Sequence, residues 1–292
     1  MNLFVPIHHH EQLASYSLLK VSAVILSTAF CSSKTQHPLT MDELSSISSK
    51  AEDLNLPWYL SVNRMILQNE WSTFEQEIKH INTYHPTGFI VSDLGVMHYL
   101  KKRYPDKKIV LQTDTTITNV QDVEILLSLG ADLIALAREL TFDEVIDIVR
   151  SHGDRVMISG FGYQSMSTSS RPLMSNYFEH INKDIDVLYK RFTLQEEGRL
   201  ERYPAMQDNH GFHIFTASVL EIFNEVKALQ DIGLNHLFID SLFIDDETIQ
   251  IVIKVFNEDL AVDLALAEIS KKYSFSKALY YTPTSAVKGV NL

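Results

Sequence analysis

The sequence predicts one α/β domain, a (β/α)8 barrel of the TIM type that fills residues 1–292, with an insertion at 160–215 over the barrel's C-terminal face and extra C-terminal helices. Three observations lead to this fold class. Short apolar segments of strand length alternate with segments of helical periodicity. The apolar segments are hydrophobic nearly throughout, as parallel strands covered on both faces are. Each becomes polar only at its C-terminal end, where α/β proteins place their functional residues.

The segment 109–140 shows the repeating unit best. An apolar strand opens it, and Asn119 is a suitable N-cap for the amphipathic helix that follows. Gly130 provides the left-handed C-cap that often ends such a helix. A second apolar strand, 133–137, closes the segment. This arrangement is a βαβ unit, and parallel sheets are built from such units.

The remaining elements follow the same rhythm. Eight strands are predicted, at residues 2–7, 23–27, 58–63, 88–93, 109–111, 133–137, 155–159 and 236–240. Between 160 and 215 the alternation breaks in a segment rich in Ser, Asn, Tyr and charge. Later helices are predicted at 217–229, 246–256 and 262–273, and an extended tail closes the chain. The competing arrangement, an open doubly wound sheet, lacks the GxGxxG motif that would support it after the first strand.

Charge and cysteine content narrow the functional classes. The formal net charge of −12 argues against a surface that binds nucleic acid all over, although it leaves room for a local basic patch. Cys31 is the only cysteine, so neither an internal disulfide nor a thiolate cluster is expected, and a reducing cytoplasmic location fits best. The apolar run 21–30 is too short to span a bilayer, and no membrane association is expected.

Polar residues at the strand ends would converge on one mouth of the barrel. This predicted mouth contains Asn63, Asp93, Gln112, Asp114, Thr115, Arg138, Glu139 and Asp240. The planar fork of Arg138 suits a carboxylate or phosphate, and Glu139 and Asp93 are the candidate general acid/base groups. The alternative is that Arg138 only pairs with Asp114 or Asp240 and caps the barrel. One residue of the triplet 8–10, three histidines after the first strand, could line the mouth, although a solvated triplet is the simpler reading.

The residues give no support for a known proteolytic mechanism. No serine lies in a G-x-S-x-G elbow, and no H-E-x-x-H zinc motif is present. Cys31 has no flanking signature of a catalytic cysteine.

Four segments nevertheless resemble a known family. They are FIVSDLGVM (89–97), QTDTTITN (112–119), LARELTFDEV (136–145) and SSRPLMSNYF (169–178). In this order and spacing they resemble the collagenase-like peptidases of unknown catalytic type, peptidase family U32, over most of the chain. The short chain, with NYFEH followed by DNHGFHIFTAS (208–218), looks most like a short member that occurs beside a longer paralogue.

The family's signature block, His-Gly-x-x-Cys followed by Gly-Arg-Cys-x-x-Ser, is only partly present. Three positions are kept, at Gly162, Arg171 and Ser175. Three others depart from it, with Phe161 at the histidine and Ser165 and Pro172 at the cysteines. Family members that hold an iron–sulfur cluster draw cysteines from this block, so the resemblance implies no cluster here.

The resemblance implies a role in RNA modification, namely hydroxylation of wobble uridine in tRNA with prephenate as the apparent source. It implies tRNA, a longer paralogous subunit and a small carboxylate as partners, and it gives Arg138 and Arg171 a reason to face a pocket. The candidate substrate-binding residues are then Arg138, Arg171, Asn119, Gln112, Thr115, Asn176 and Asp240, with Glu139 and Asp93 as catalytic residues and no certain cofactor. The alternatives are a genuine peptidase or other hydrolase and a non-catalytic partner subunit.

Overall fold

A computed structural model describes residues 1–282 of the chain. Its strands are β1 (Asn2–Pro6), β2 (Ala23–Leu26), β3 (Trp58–Val62), β4 (Gly88–Val91), β5 (Lys108–Leu111), β6 (Leu133–Ala135), β7 (Val156–Gly162), β8 (Ser165–Ser169), β9 (Arg191–Leu194), β10 (Tyr203–Asp208), β11 (Gly211–Phe215), β12 (Val219–Glu221), β13 (His236–Ile239) and β14 (Phe275–Ser276). Its α-helices are α1 (Gln12–Leu18), α2 (Met41–Asp53), α3 (Trp71–Ile81), α4 (Leu94–Arg103), α5 (Val120–Ser128), α6 (Phe142–His152), α7 (Leu173–His180), α8 (Phe223–Asp231), α9 (Asp246–Phe256) and α10 (Val262–Ile269).

Eight parallel strands close into a barrel. Strands β1 to β7 pair side by side in chain order, and β13 pairs in parallel with both β7 and β1. Leu237 of β13 lies opposite Ile158 on one side and Leu3 on the other, so the sheet has no open edge at this level. The predicted (β/α)8 fold class is confirmed.

Alternation along each strand divides the barrel core into two parts. Outward residues such as Leu60 and Val91 pack against the surrounding helices in the larger apolar cluster. Inward residues, among them Ile25, Ile90 and Met157, fill the barrel interior. Successive side chains of a strand point to opposite faces, so each strand contributes to both clusters. This explains why the strand sequences are apolar without interruption.

A second sheet occupies most of the predicted insertion. Strands β8 to β11 form a four-stranded antiparallel sheet in the order β8-β11-β10-β9. It has a small apolar core of its own with Met174 of α7, Val187, Ala205 and Phe212. The sequence pattern did not predict these strands, because strands such as β8 (SMSTS) carry too few apolar residues to show alternation. The sheet contacts loops at the C-terminal ends of barrel strands, for example where Arg191 Nη1 donates to the carbonyl oxygen of Phe243 at 3.4 Å.

The C-terminal third differs from the predicted pattern in two places. The helix predicted at 217–229 begins only at Phe223, because β12 pairs antiparallel with the end of β7 and takes up the preceding residues. The helix predicted at 262–273 ends at Ile269, and β14 then pairs with β12. Because α9 packs against α1, it completes the helical ring, and α10 is the extra helix.

The tail beyond residue 282 lies outside the described residues. Within residues 1–282, no helix has the length and apolar character needed to cross a membrane.

Helix caps account for two of the candidate site residues. The Asp93 side chain accepts a hydrogen bond from the Val96 N–H at the start of α4, at 2.9 Å. The Asn119 side chain accepts one from the Asp122 N–H at the start of α5, also at 2.9 Å. A side-chain oxygen at this position satisfies an amide that has no partner within the helix. Both residues are therefore tied to helix initiation.

Replacing Asn119 should affect stability through this cap. We expect Asn119→Ala to lower the free energy of unfolding by about 1 kcal/mol. Asn119→Ser should keep most of the wild-type stability, since serine also caps helices. Urea denaturation followed by circular dichroism measures both. Asn176→Ala, in the exposed part of α7, is the matched control and should change the free energy by less than about 0.5 kcal/mol. Equal losses in the two alanine variants would contradict the capping role.

Candidate functional site

The inward-facing positions change character where the barrel strands end. An interior layer of the barrel consists of Ile25, Tyr59, Ile90, Val110, Met157 and Phe238. Two positions later along the chain in each case, the inward-facing residues are Ser27, Ser61, Ser92, Gln112, Ser159 and Asp240. These six residues form the floor of a cavity that holds about 830 Å³ of empty space, its open mouth included. Four short serine side chains create this space, because each replaces an apolar side chain that would fill it.

The floor offers hydrogen bonds to a ligand. Within residues 1–282, the hydroxyls of Ser27, Ser61, Ser92 and Ser159 form no hydrogen bond with another protein group. A hydroxyl both donates one hydrogen bond and accepts others. Apolar side chains, including Phe215 and Leu242, complete the cavity wall above the floor. The cavity is therefore suited to a small ligand with neutral polar groups and some apolar surface.

Three charged residues cross the mouth of the cavity. Lys34 follows β2, and its Nζ lies 2.5 Å from Oδ2 of Asp114, which follows β5. Arg138, which follows β6, places Nη2 3.9 Å from the same oxygen. Strands β2 and β6 are four places apart in a ring of eight, so this bridge joins opposite sides of the barrel. The alternative in which Arg138 pairs with Asp114 is thus present together with an open cavity.

The electrostatics of the bridge favour an anionic ligand. Burial alone raises the pKa of Asp114, but the nearby charges of Lys34 and Arg138 outweigh burial and hold this pKa below its usual value. One carboxylate thus faces two cations, which leaves one positive charge in excess as long as the carboxyl of Asp240 on the floor, whose pKa burial raises to about 6, is protonated. The long 3.9 Å contact leaves Arg138 with donors to offer a second carboxylate.

Two of these residues have unusual backbone conformations. Lys34 has φ of 60° and Asp114 has φ of 70°, both in the left-handed region. Such conformations are costly for residues other than glycine, and they persist where surrounding contacts hold the chain. The structure therefore fixes the two residues that meet across the mouth.

Asp240 is the titratable group of the floor. Burial raises the pKa of its carboxyl to about 6, although Oδ1 accepts a hydrogen bond from the Leu242 N–H at 3.0 Å. Gly162 is needed beside it, because a Cβ at this position would lie 2.5 Å from Cβ of Asp240, and φ is 129°. A carboxyl with a pKa near neutrality can exchange a proton with a ligand, so Asp240 is the candidate proton-handling group.

His8 also lines the cavity, whereas His9 and His10 are exposed. Ser241 Oγ donates its proton to the carbonyl oxygen of Pro6 at 3.1 Å, so His8 Nε2, 3.0 Å away, must be the donor to Ser241. Burial and the neighbouring His37 lower the pKa of His8 to about 4. His8 is therefore a neutral imidazole at physiological pH, fixed by Ser241.

The structure brings together only part of the predicted site. Gln112, Arg138 and Asp240 line the cavity, as do Asn63 and Asp114. The other predicted site residues lie outside its lining: Asp93 and Asn119 as helix caps, and Thr115, Glu139, Arg171 and Asn176 at exposed positions. Glu139 directly follows Arg138, and neighbouring residues at a strand end point in different directions. The proposed catalytic roles of Glu139 and Asp93 thus lack support from their positions.

Several cavity residues did not stand out in the sequence. The four serines were detectable in principle, because each stands two residues beyond an inward apolar residue of a predicted strand. Lys34 gave no such signal. It lies in a Ser/Thr-rich loop, and only the folded chain brings it to Asp114, 80 residues away.

The residues present do not fit an iron–sulfur cluster. Cys31 is the only cysteine of the sequence, it is fully buried in the loop after β2, and burial raises the pKa of its thiol to about 12. Such clusters are held mainly by several thiolates. In the part of the chain that the structure describes, no group of three or more His, Cys, Asp or Glu is arranged to hold a metal ion.

Comparison with solved structures supports the fold. The structure of the U32 peptidase Mk0906 superimposes with a TM-score of 0.53 over 82% of this chain and 92% of that chain, at 14% sequence identity. At this low identity the similarity establishes the barrel architecture alone.

Sequence comparison adds named relatives. The tRNA hydroxylation protein P2 of Bacillus subtilis (strain 168) is 26% identical over 237 residues, which cover 80% of this chain and 76% of that protein. The tRNA hydroxylation protein P of Haemophilus influenzae is 27% identical over 135 residues, 46% of this chain but only 29% of that longer protein. Residues 11–287 match the sequence profile of peptidase family U32. Because this match covers nearly the whole chain, the protein belongs to peptidase family U32.

Proposed function

We propose that this protein takes part in the hydroxylation of tRNA rather than in proteolysis. The cavity carries the proposal, since a hydrogen-bonding floor lies beneath two cations, an arrangement that suits a small anion. The named relatives, which are tRNA hydroxylation proteins from several bacteria, support the same role. Soluble tRNA is the substrate this role requires, and the cytoplasm is the corresponding location.

The ligand of the cavity is proposed to be a small carboxylate, with prephenate as the specific candidate. Arg138 offers a planar fork to one carboxylate, and Lys34 offers a point charge to the same group or a second one. The serine hydroxyls and Gln112 bind the neutral polar groups of the ligand. Asp240 and His8 are the groups placed to exchange a proton or a hydrogen bond with it.

The peptidase alternative is less well supported. His8 and Ser241 lie 3.0 Å apart, but His8 already donates to Ser241 and cannot act as its base. Thr168, His213 and Asp208 form a second chain of hydrogen bonds, but Thr168 is not part of the cavity lining. A nucleophile needs a free base within reach and a space for the reacting group. Neither arrangement provides both.

A second candidate function is that of a supporting subunit beside a longer paralogue. The departures from the signature block at Phe161, Ser165 and Pro172 favour it, because they remove a histidine and two cysteines. The net charge of −12 also favours a partner that supplies the basic contacts to tRNA. In this function the cavity would not be needed for modification.

Variants of the two cations separate these functions. We expect Arg138→Lys, which keeps the charge and loses the fork, to weaken prephenate binding by roughly tenfold, and Lys34→Met to weaken it further. Both variants should fail to restore 5-hydroxyuridine to tRNA in a strain that lacks the wild-type protein. Calorimetry measures binding, and mass spectrometry of tRNA nucleosides measures modification.

Arg171→Met is the matched control, because Arg171 is exposed and stands outside the cavity lining. It should leave both binding and modification unchanged. Full restoration of modification by Arg138→Lys and Lys34→Met, with both variants folded, would refute the catalytic function and favour the supporting subunit.

Asp240 should make ligand binding depend on pH. Its carboxyl ionises as the pH rises through about 6, which adds a negative charge to a cavity that binds an anion. We therefore expect prephenate affinity to fall by roughly threefold to tenfold between pH 5 and pH 7, and Asp240→Asn to remove this dependence. Calorimetry of both proteins across this range provides the measurement.

The same carboxyl should affect stability. The folded protein holds a proton that the unfolded carboxyl, with a pKa of about 3.9, has already released. The free energy of unfolding of the wild type, relative to Asp240→Asn, should therefore fall as the pH rises from about 4 to 6 and stay level above it. An unchanged difference over this range would show that Asp240 titrates normally.

A further inference from the structure

One sequence motif, 208–218, lies almost entirely outside the cavity lining. It forms the turn between β10 and β11 and all of β11, and it contains two nearly inaccessible polar residues, Asp208 and His213. Buried polar side chains are nearly always hydrogen-bonded, so the groups that these two residues contact indicate their role. We infer that Asp208 and His213 position Lys34 over the cavity, an inference that rests on the proposed role of Lys34 in binding the anion.

Asp208 holds the backbone of Lys34 directly. Its Oδ2 accepts a hydrogen bond from the Lys34 N–H at 2.8 Å, and its Oδ1 accepts one from the His210 N–H at 2.8 Å. The first bond joins residues 174 positions apart in the sequence, one in the four-stranded sheet and the other in the loop after β2. A hydrogen bond to a buried carboxylate is stronger than one to a neutral acceptor. The sheet thereby fixes the residue that carries the ammonium group.

His213 keeps the carboxylate in place and ionised. Its Nε2 lies 3.1 Å from Asp208 Oδ2, and its Nδ1 lies 3.1 Å from Thr168 Oγ1. Burial raises the pKa of Asp208, but the hydrogen bond and charge of His213, with the two backbone N–H groups, hold this pKa below its usual value. Since an ionised Asp208 only accepts, Nε2 of His213 must carry the proton.

Two further contacts tie the same loop to its surroundings. His210 Nε2 donates to the carbonyl oxygen of Ala29 at 2.8 Å, again from the turn of the sheet. On the barrel side, Asn63 Oδ1 accepts from the Ser33 N–H at 2.8 Å. Lys34 lies between these anchors with φ of 60°, a conformation that needs such contacts to persist.

The role of the four-stranded sheet in this arrangement is to hold Lys34 in position. Asp208 and His213 do not line the cavity, so they are positioning residues that act through Lys34. Without them the loop after β2 would lose the bond that holds Lys34 in its left-handed conformation. Its Nζ would then no longer be held at Asp114 on the far side of the mouth.

The experiment combines Asp208 variants with Lys34→Met. We expect Asp208→Ala to raise the dissociation constant for prephenate by roughly tenfold or more, and to accelerate amide hydrogen exchange at Lys34 by a similar factor. Asp208→Asn keeps a neutral acceptor and should show smaller effects, and it serves as the test if Asp208→Ala does not fold. In a Lys34→Met background, Asp208→Ala should cause no additional loss of binding.

Gln207→Ala is the matched control. Gln207 is as buried as its neighbour, at 2% exposure against 4%, but its side chain accepts from the Met174 N–H and does not contact Lys34. This variant should leave prephenate binding and the amide hydrogen exchange at Lys34 unchanged. His213→Leu should act like Asp208→Ala, whereas His213→Gln, which retains a donor, should restore part of the affinity.

The outcomes separate this inference from the proposed function. The positioning role would be overturned if Gln207→Ala and Asp208→Ala raised the dissociation constant for prephenate equally. It would also be overturned if Asp208→Ala raised this constant by its full factor in the Lys34→Met background. Unchanged exchange at Lys34 in Asp208→Ala would overturn it as well. Faster exchange at Lys34 in Asp208→Ala, with no variant or wild type binding prephenate, would support the positioning role and refute the proposed ligand.

Discussion

The two-residue alternation of parallel strands is the constraint on which the site depends. A strand that places Ile25 or Ile90 inside the barrel must also place the residue two positions later inside. At the C-terminal end that residue belongs to the last layer of the barrel interior, and the cavity lies beyond it. Serine at four of these positions, with Gln112 and Asp240 at two others, turns the last layer of the core into the floor of a cavity. The packed core and the cavity floor are thus successive layers of the same strands.

The four-stranded sheet supplies what the barrel alone lacks. Asp114 and Arg138 come from neighbouring barrel strands, but the cation opposite them lies in a loop that the sheet holds through Asp208. A long loop loses entropy when it is fixed, and several hydrogen bonds must offset this loss. The anchors at Ser33, Lys34 and Ala29 do so from two sides. Under the proposed function, ligand binding by the cavity therefore depends on the integrity of the sheet.

The altered signature block has a structural explanation in this chain. Phe161, where the family has histidine, is fully buried and stacks on Phe223 with ring centroids 5.8 Å apart. Ser165 lines the cavity, and Pro172 precedes α7, where its fixed φ suits the start of a helix. Gly162 is retained because Asp240 leaves no room for a side chain. In this chain Phe161, Gly162 and Ser165 thus serve packing and cavity shape, and the charged residues of the proposed site are Lys34, Arg138 and Asp240.

The sequence by itself determined the barrel, most strand positions, the cap at Asn119, and the presence of Gln112, Arg138 and Asp240 at one mouth. These features depend on local periodicity and chain order, which a sequence displays directly. Only the tertiary structure decided that Glu139 and Asp93 lie outside the cavity, that residues before Phe223 form β12, and that Lys34 completes the site. Each of these outcomes depends on side-chain direction or on contacts between distant segments. No local pattern encodes such contacts, because the partner that fixes them is brought near only by folding.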